Sequence, residues 1–256
     1  MRRLSVIVLL PFFLYACGSS SDDVDVREER IESRDFSSSQ INKLRIDTEN
    51  GSIQNSVRTD GLINVVLEKW ATGSNSAEAD RNIDDIEVSI TEDTASGLLN
   101  IEVDVPDNTE TDYGCSISVD IPAAMELDLE SLNGGITIAD TTGKAKLKTL
   151  NGKITVRNHS GNLDGETSNG EIDVDIMLPD EGECKLKTSN GSITLSIPDT
   201  TSAEIEASTL NGKIEIDHPG VMAEKVEDKE FKGEIGDGDG DIELETLNGN
   251  IVIKQL

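Results

Sequence analysis

Thr149-Leu150-Asn151-Gly152-Lys153-Ile154-Thr155-Val156 decides the fold, because the same unit returns down the chain. Asn-Gly recurs at Asn50, Asn133, Asn151, Asn169, Asn190, Asn211 and Asn248, and the five central copies are 18, 18, 21 and 21 residues apart. A fixed period of this length is the mark of a repeat architecture. Two residues before each Asn stands a hydroxyl: Thr48, Ser131, Thr149, Thr167, Thr188, Thr209 and Thr246. Three residues after it stands Ile53, Ile136, Ile154, Ile172, Ile193, Ile214 and Ile251. Apolar residues recur six before (Leu127, Ala145, Leu163, Cys184, Ile205, Ile242) and five after (Ile138, Val156, Val174, Leu195, Ile216, Ile253). Each unit is therefore an alternating strand, a break at Asn-Gly, and a second alternating strand.

Two architectures fit that unit. Asn-Gly between strands is a strong hairpin signal. A two-residue hairpin would leave Leu132, Leu150, Leu210 and Leu247 on the charged face, whereas in a solenoid Asn-Gly is a corner and these leucines can turn inward. Charge favours the solenoid. Five before each Asn the row reads Asp128, Lys146, Asp164, Lys185, Glu206, and three before it reads Glu130, Lys148, Glu166, Lys187, Ser208. Alternating sign suits in-register neighbours, since opposed like charges destabilise a pair. The expected class is all-β, a β-solenoid of ~18–21-residue repeats, with stacked Asn and Thr columns adding side-chain hydrogen bonds.

The stack is expected over 113–256. The segment 41–112 supplies less regular strands, Ile41 to Ile46, Gly61 to Trp70, Asp85 to Thr91 and Leu98 to Val105, with a short helix or loop at Ser76 to Asn82 beginning at a capping Ser. It should cover one end of the same continuous domain, while the last repeat, running to Leu256, leaves the other edge available. Cys115 and Cys184 lie several coils apart and should not pair, because rungs at ~4.8 Å soon exceed the ~7 Å reach of a disulfide.

The N-terminus carries its own pattern. Met1-Arg2-Arg3 and the uncharged run Leu4 to Tyr15 read as a signal peptide over 1–16, too short for a permanent membrane span. Leu14-Tyr15-Ala16-Cys17-Gly18 resembles the bacterial lipobox. That resemblance implies lipid on the Cys17 thiol and, with Gly18 rather than Asp after it, an outer-membrane lipoprotein facing the periplasm or the cell surface. Residues 17–40, rich in Ser, Asp, Glu and Arg, read as a flexible acidic tether.

The formal net charge is −29 over 256 residues and aromatics are 3%. Nucleic acid is excluded as a partner on charge. His159 and His218 are the only imidazoles and read as solvated turn residues. Neither a nucleophile elbow nor a His-Glu-x-x-His motif occurs. No cofactor and no reaction are expected; a polysaccharide-acting β-helix enzyme is the remote alternative. In Gly236-Asp237-Gly238-Asp239-Gly240-Asp241, the carboxylates of Asp237, Asp239 and Asp241 imitate the start of a calcium loop. Ile242 stands where Gly is needed and Asn248 where a closing Glu is needed. Tight turns with solvated Asp are the plainer reading. The candidate binding surface is a sheet face bearing Lys146, Lys148, Lys153, Lys185 and Lys187, an island of positive charge unless each lysine simply answers an acid on the next rung.

The repeated unit, the Ser76-to-Asp85 insertion, and Ser118-Val119-Asp120-Ile121-Pro122 resemble a large bacterial family. Its members carry a β-strand-repeat domain of unknown function often labelled adhesin. The resemblance spans about Ile41 to Leu256 and implies a solenoid-like fold and an envelope location; the expected partner is an unidentified protein or glycan. It brings no catalytic residues. Adhesion or scaffolding is the function expected from it, with a structural or stress-associated periplasmic role as the alternative.

Overall fold

The computed structural model describes residues 25–107 and 111–256. Cys17 and the signal segment lie outside them. Among the described residues no helix is long and apolar enough to cross a membrane.

The described residues form twenty-one strands, one short α-helix and a 3-10 turn at Ile83–Asp85. The first part holds β1 (Val26–Ser37), β2 (Lys43–Asn50), β3 (Ile53–Val57), β4 (Leu62–Gly73), α1 (Ser76–Asn82), β5 (Glu87–Asp93), β6 (Leu98–Asp104) and β7 (Tyr113–Ile121). The repeats follow as β8 (Glu126–Asn133), β9 (Ile136–Ala139), β10 (Ala145–Thr149), β11 (Ile154–His159), β12 (Leu163–Asn169), β13 (Ile172–Ile176), β14 (Glu183–Asn190), β15 (Ile193–Ile197), β16 (Ala203–Asn211) and β17 (Ile214–Asp217). A hairpin, β18 (Val221–Val226) and β19 (Glu230–Ile235), precedes the last unit, β20 (Gly240–Asn248) and β21 (Ile251–Gln255).

Each unit places its first strand in one sheet and its second in the other, so the chain coils. Sheet A runs β1-β4-β7-β3-β9-β11-β13-β15-β21-β17, and sheet B runs β18-β19-β16-β20-β14-β12-β10-β8-β2-β6-β5. The repeat strands pair parallel and in register, Thr149 on Thr167 and Ile154 on Ile172. Eleven strands at ~4.8 Å make a body about 48 Å long. Between the sheets lies one core of Ile, Val and Leu, with Leu127, Leu163, Ile154, Val156, Ile193 and Ile253 fully buried. Alternation along each strand puts the charged residues outside.

Sequence order and stacking order differ at both ends. The first coil, β2 and β3, pairs directly with β8 and β9, so stacking begins at Lys43 rather than at 113. The segment from β4 to β7 then extends the stack outward before the chain returns. At the other end the last repeat does not form the terminal edge: β20 lies between β14 and β16, and β21 between β15 and β17. The coil of β16 and β17 is therefore outermost, and β19 and β18 extend sheet B beyond it.

Four local expectations need correction. The tether reading fails for Val26–Ser37, which pairs antiparallel with β4 over its whole length; a charged edge strand needs few apolar residues when a long amphipathic neighbour supplies them. The helix cap is Asn75, whose side chain accepts from the Glu78 amide, not Ser76. Leu132, Leu150, Leu210 and Leu247 are exposed, because the inward hydroxyl residue one position earlier fixes them outward. His159 and His218 are buried rather than solvated. Cys115, in sheet A, and Cys184, in sheet B, are both free buried thiols.

Candidate functional site

Most polar chemistry of the stack is directed at its own neighbours. The Asn side chains form one unbroken ladder: Asn133 Nδ2 donates to Asn50 Oδ1, Asn151 to Asn133, Asn169 to Asn151 and Asn190 to Asn169, each at 2.8 Å. Asn248 donates to Asn190 and Asn211 to Asn248 at 2.9 Å. The buried hydroxyls do not bond one another as a ladder. They donate to corner carbonyls of the adjoining rung: Thr149 to Gly134 O, Thr167 to Gly152 O, Thr188 to Gly170 O, Thr246 to Gly191 O and Thr209 to Gly249 O. The corner glycines are close-packed as well. A Cβ on Gly134, Gly152, Gly170, Gly191, Gly249 or Gly212 would collide with the carbonyl of the neighbouring corner glycine. None of these glycines has positive φ, so what each position demands is the missing Cβ.

The five candidate lysines fall into two places. Lys146, Lys148, Lys185 and Lys187 lie on sheet B, on β10 and β14, in register with Asp164 and Glu166 of β12 between them. Lys148 approaches Glu130 at 3.7 Å, Lys185 reaches Glu243 at 2.7 Å, and Lys187 holds Glu243 and Glu245 at 2.8 Å each. Lys153 stands apart at the start of the sheet A strand, facing Glu171 and Asp173. Hydrogen bonds to Glu243 and Glu245 raise the Lys187 ammonium, and those from Lys185 and Lys187 hold the Glu243 carboxyl low. Four of the five lysines are thus paired with carboxylates, while Lys146 stands in register between Asp128 and Asp164 without an ion pair among the described residues.

Compensation breaks down where sequence order and stacking order part. Because β20 enters next to β14, Asp241 is flanked by Glu183 and Glu204, and Glu243 has Glu206 on its other side. At the opposite end Glu102, Asp47 and Glu130 are adjacent; burial first, then Glu130 and its acidic neighbours, raises the Asp47 carboxyl.

The Asp-Gly run makes a turn, not a cage. Gly236 and Gly238 take positive φ. Ser202 Oγ accepts the amides of Asp237 and Asp239 and donates to the Asp239 carboxylate at 3.1 Å. Asp241 sits on the outer face of β20. Among the described residues, no group of three or more His, Cys, Asp or Glu side chains is placed to hold a metal ion. Sequence reasoning did not find the buried pair of His159 Nδ1 and Thr141 Oγ1, 2.9 Å apart; desolvation lowers the His159 imidazole.

At one end the two sheets stop at different strands. Sheet A stops at β17 while sheet B continues for two strands, leaving a mainly apolar groove of about 340 Å³ lined by Ile214, Ile216, Val221, Ala223, Val226 and Phe231 together with His218 and Glu227.

No functionally curated protein matches the chain. Among solved structures, a putative cell adhesion protein from Clostridium sporogenes is similar over 90% of this chain and 100% of its own, at 14% identity and a TM-score of 0.47. A putative adhesin from Bacteroides fragilis matches 88% of this chain and 97% of its own at 12% identity, TM-score 0.33. A putative lipid binding protein from Parabacteroides distasonis matches 88% and 96% at 10% identity, TM-score 0.31. Such distant likenesses carry no functional argument. A family model does match, over residues 19–254, nearly the whole described chain, and the protein belongs to the Toastrack DUF4097 family.

Proposed function

We propose that this protein is a non-catalytic interaction or scaffold module of the bacterial envelope, held to a membrane by lipid on Cys17 and presenting a rigid β-stack to a protein or glycan partner. The observation that carries this reading is the closure of the stack's polar columns. Asn pairs with Asn, Thr with corner carbonyls and Lys with Glu of the next rung, an economy that favours stiffness and length over a reactive site. The strongly acidic exterior keeps such a body soluble and away from anionic surfaces.

The lipid anchor rests on the lipobox-like Leu14-Tyr15-Ala16-Cys17, and two or more acyl chains would be enough for stable attachment. The test is protease treatment of intact cells followed by immunoblotting, beside an outer-membrane-permeabilised sample with a periplasmic marker. Loss from intact cells supports adhesion at the surface. Survival there, with loss after permeabilisation, overturns the adhesin reading and favours a periplasmic scaffold.

A further inference from the structure

Along sheet A a single backbone pattern repeats. Ile136 N–H donates to Lys153 O, Ile154 to Glu171 O, Ile172 to Ser192 O, Ile193 to Asn250 O and Ile251 to Lys213 O. Each Ile amide thus points to the next rung, at the residue before that rung's own Ile. The series ends at Ile214. Strand alternation directs the amides of Ile214 and Ile216 away from β21, and among the described residues sheet A has no further strand to receive them. The amide ladder ends at the same place: Asn211 Nδ2 donates to Asn248, and no donor among the described residues reaches Asn211 Oδ1.

Sheet B, by contrast, continues. The hairpin of β18 and β19 overhangs β17 by two strands, leaving room for about two strands at ~4.8 Å spacing on the sheet A side. That space is the apolar groove already described, with Val226 72% exposed over it. Glu227 lies at its margin, and Glu215 and Asp217 are exposed on β17. On its inner side β17 meets β21, where Ile251 and Ile253 oppose Ile214 and Ile216, Val252 opposes Glu215, and Lys254 opposes Asp217. The far end of the molecule differs, because β1 closes sheet A with Arg27, Glu29, Arg34 and Asp35 exposed along it, the usual guard of an edge.

We propose that the outer edge of β17 and the overhang of β18 and β19 form a strand-addition site for an extended polypeptide segment patterned like β21, with alternate apolar residues facing inward and a basic residue facing outward. The segment adds parallel to β17. Its carbonyls accept from Ile214 and Ile216, its apolar side chains enter the groove, and its Lys or Arg faces Asp217. Main-chain bonds supply affinity and the alternating pockets supply selectivity, as in other strand-addition complexes. This deepens the proposed interaction role and rests on it.

The probe is a labelled synthetic peptide, Asn-Gly-Asn-Ile-Val-Ile-Lys-Gln-Leu, which copies residues 248–256. It is titrated into the purified mature chain and followed by fluorescence anisotropy. Saturable binding is expected, weakened at least tenfold by Val226→Glu and by Asp217→Lys with thermal midpoints unchanged. A peptide carrying Glu in place of its Lys should restore binding to the Asp217→Lys protein. Absence of saturation up to about 1 mM peptide, or an affinity that neither substitution alters, overturns the site. Protease accessibility on cells reads the envelope role independently, so loss of this site leaves that reading to stand or fall alone.

Discussion

Gly170→Ala should destabilise the protein although ordinary backbone reasoning gives the opposite sign. Gly170 does not have positive φ, and replacing such a glycine by Ala usually stabilises by about 0.4–1 kcal/mol through the unfolded state. Here the new methyl would meet the carbonyl oxygen and carbon of Gly152, with Thr167 Oγ1 at 3.2 Å. The obstacle is backbone pinned on both sides. Thr167 donates to Gly152 O, the Gly170 amide donates to Asn190 O at 3.0 Å, and Thr188 donates to Gly170 O. Relief requires two rungs to part locally, so overpacking of about 1–3 kcal/mol is joined by at least one weakened hydrogen bond of about 1 kcal/mol. The net expectation is a loss of about 2–4 kcal/mol. Urea unfolding of the mature chain measures it, with Gly165→Ala as the control. A Cβ at Gly165 meets only a Leu186 methyl at 3.1 Å, and that variant should stay within about 1 kcal/mol of the parent. A neutral or stabilised Gly170→Ala protein would refute the close-packed corner.

In the amide ladder, Asn169→Ala removes two bonds of 2.8 Å and should cost about 1–2 kcal/mol, whereas Asn211→Ala at the ladder's end removes one and should cost less; paired denaturation curves decide. Burial pushes the thiols of Cys115 and Cys184 up to about 12, so neither should react with iodoacetamide at pH 8 until the protein unfolds, as intact mass would report. Desolvation lowers the folded-state pKa of His159 below its ordinary 6.5. The unfolded chain then binds a proton that the folded chain refuses, so this contribution is complete above pH 6.5 and is lost as pH falls below it. His159→Gln should flatten the pH dependence of unfolding between pH 7 and 5, and an unchanged slope would remove His159 from the acid response. Lys187→Ala leaves Glu243 and Glu245 without their shared cation and should cost no more than about 1 kcal/mol, shrinking as salt is added.

The sequence made the rung legible because position within the repeat determines direction. The hydroxyl two before each Asn is buried in all seven copies, and so is the Ile three after it in all but the terminal rung, where Ile214 is partly covered. The same parity could have placed Leu150 outward, since Thr149 beside it points in. The order of rungs was hidden, because nothing local marks the last repeat as an insertion. Lys185 is answered equally well by Glu206 or Glu243. Lys187 held the clue, since Ser208 gives it no carboxylate while Glu245 does. β1 escaped notice because its charged composition matches that of a solvated tether, and its partner β4 lies some thirty residues away. The strand-addition groove had no sequence signature, because it arises from one sheet ending two strands before the other.

Stacking order is the claim on which the corner packing, the acidic cluster and the open groove all depend, and paired cysteines read it directly. In the double variant Asn190→Cys, Asn248→Cys the two positions are neighbours in register, about 4.8 Å apart and within disulfide reach. In Asn190→Cys, Asn211→Cys they are separated by the β20 rung, about 9.6 Å apart and beyond it. Mild oxidation followed by intact mass and peptide mapping should show a bond in the first variant and none in the second. A bond between positions 190 and 211, with none between 190 and 248, would contradict the intercalated stack.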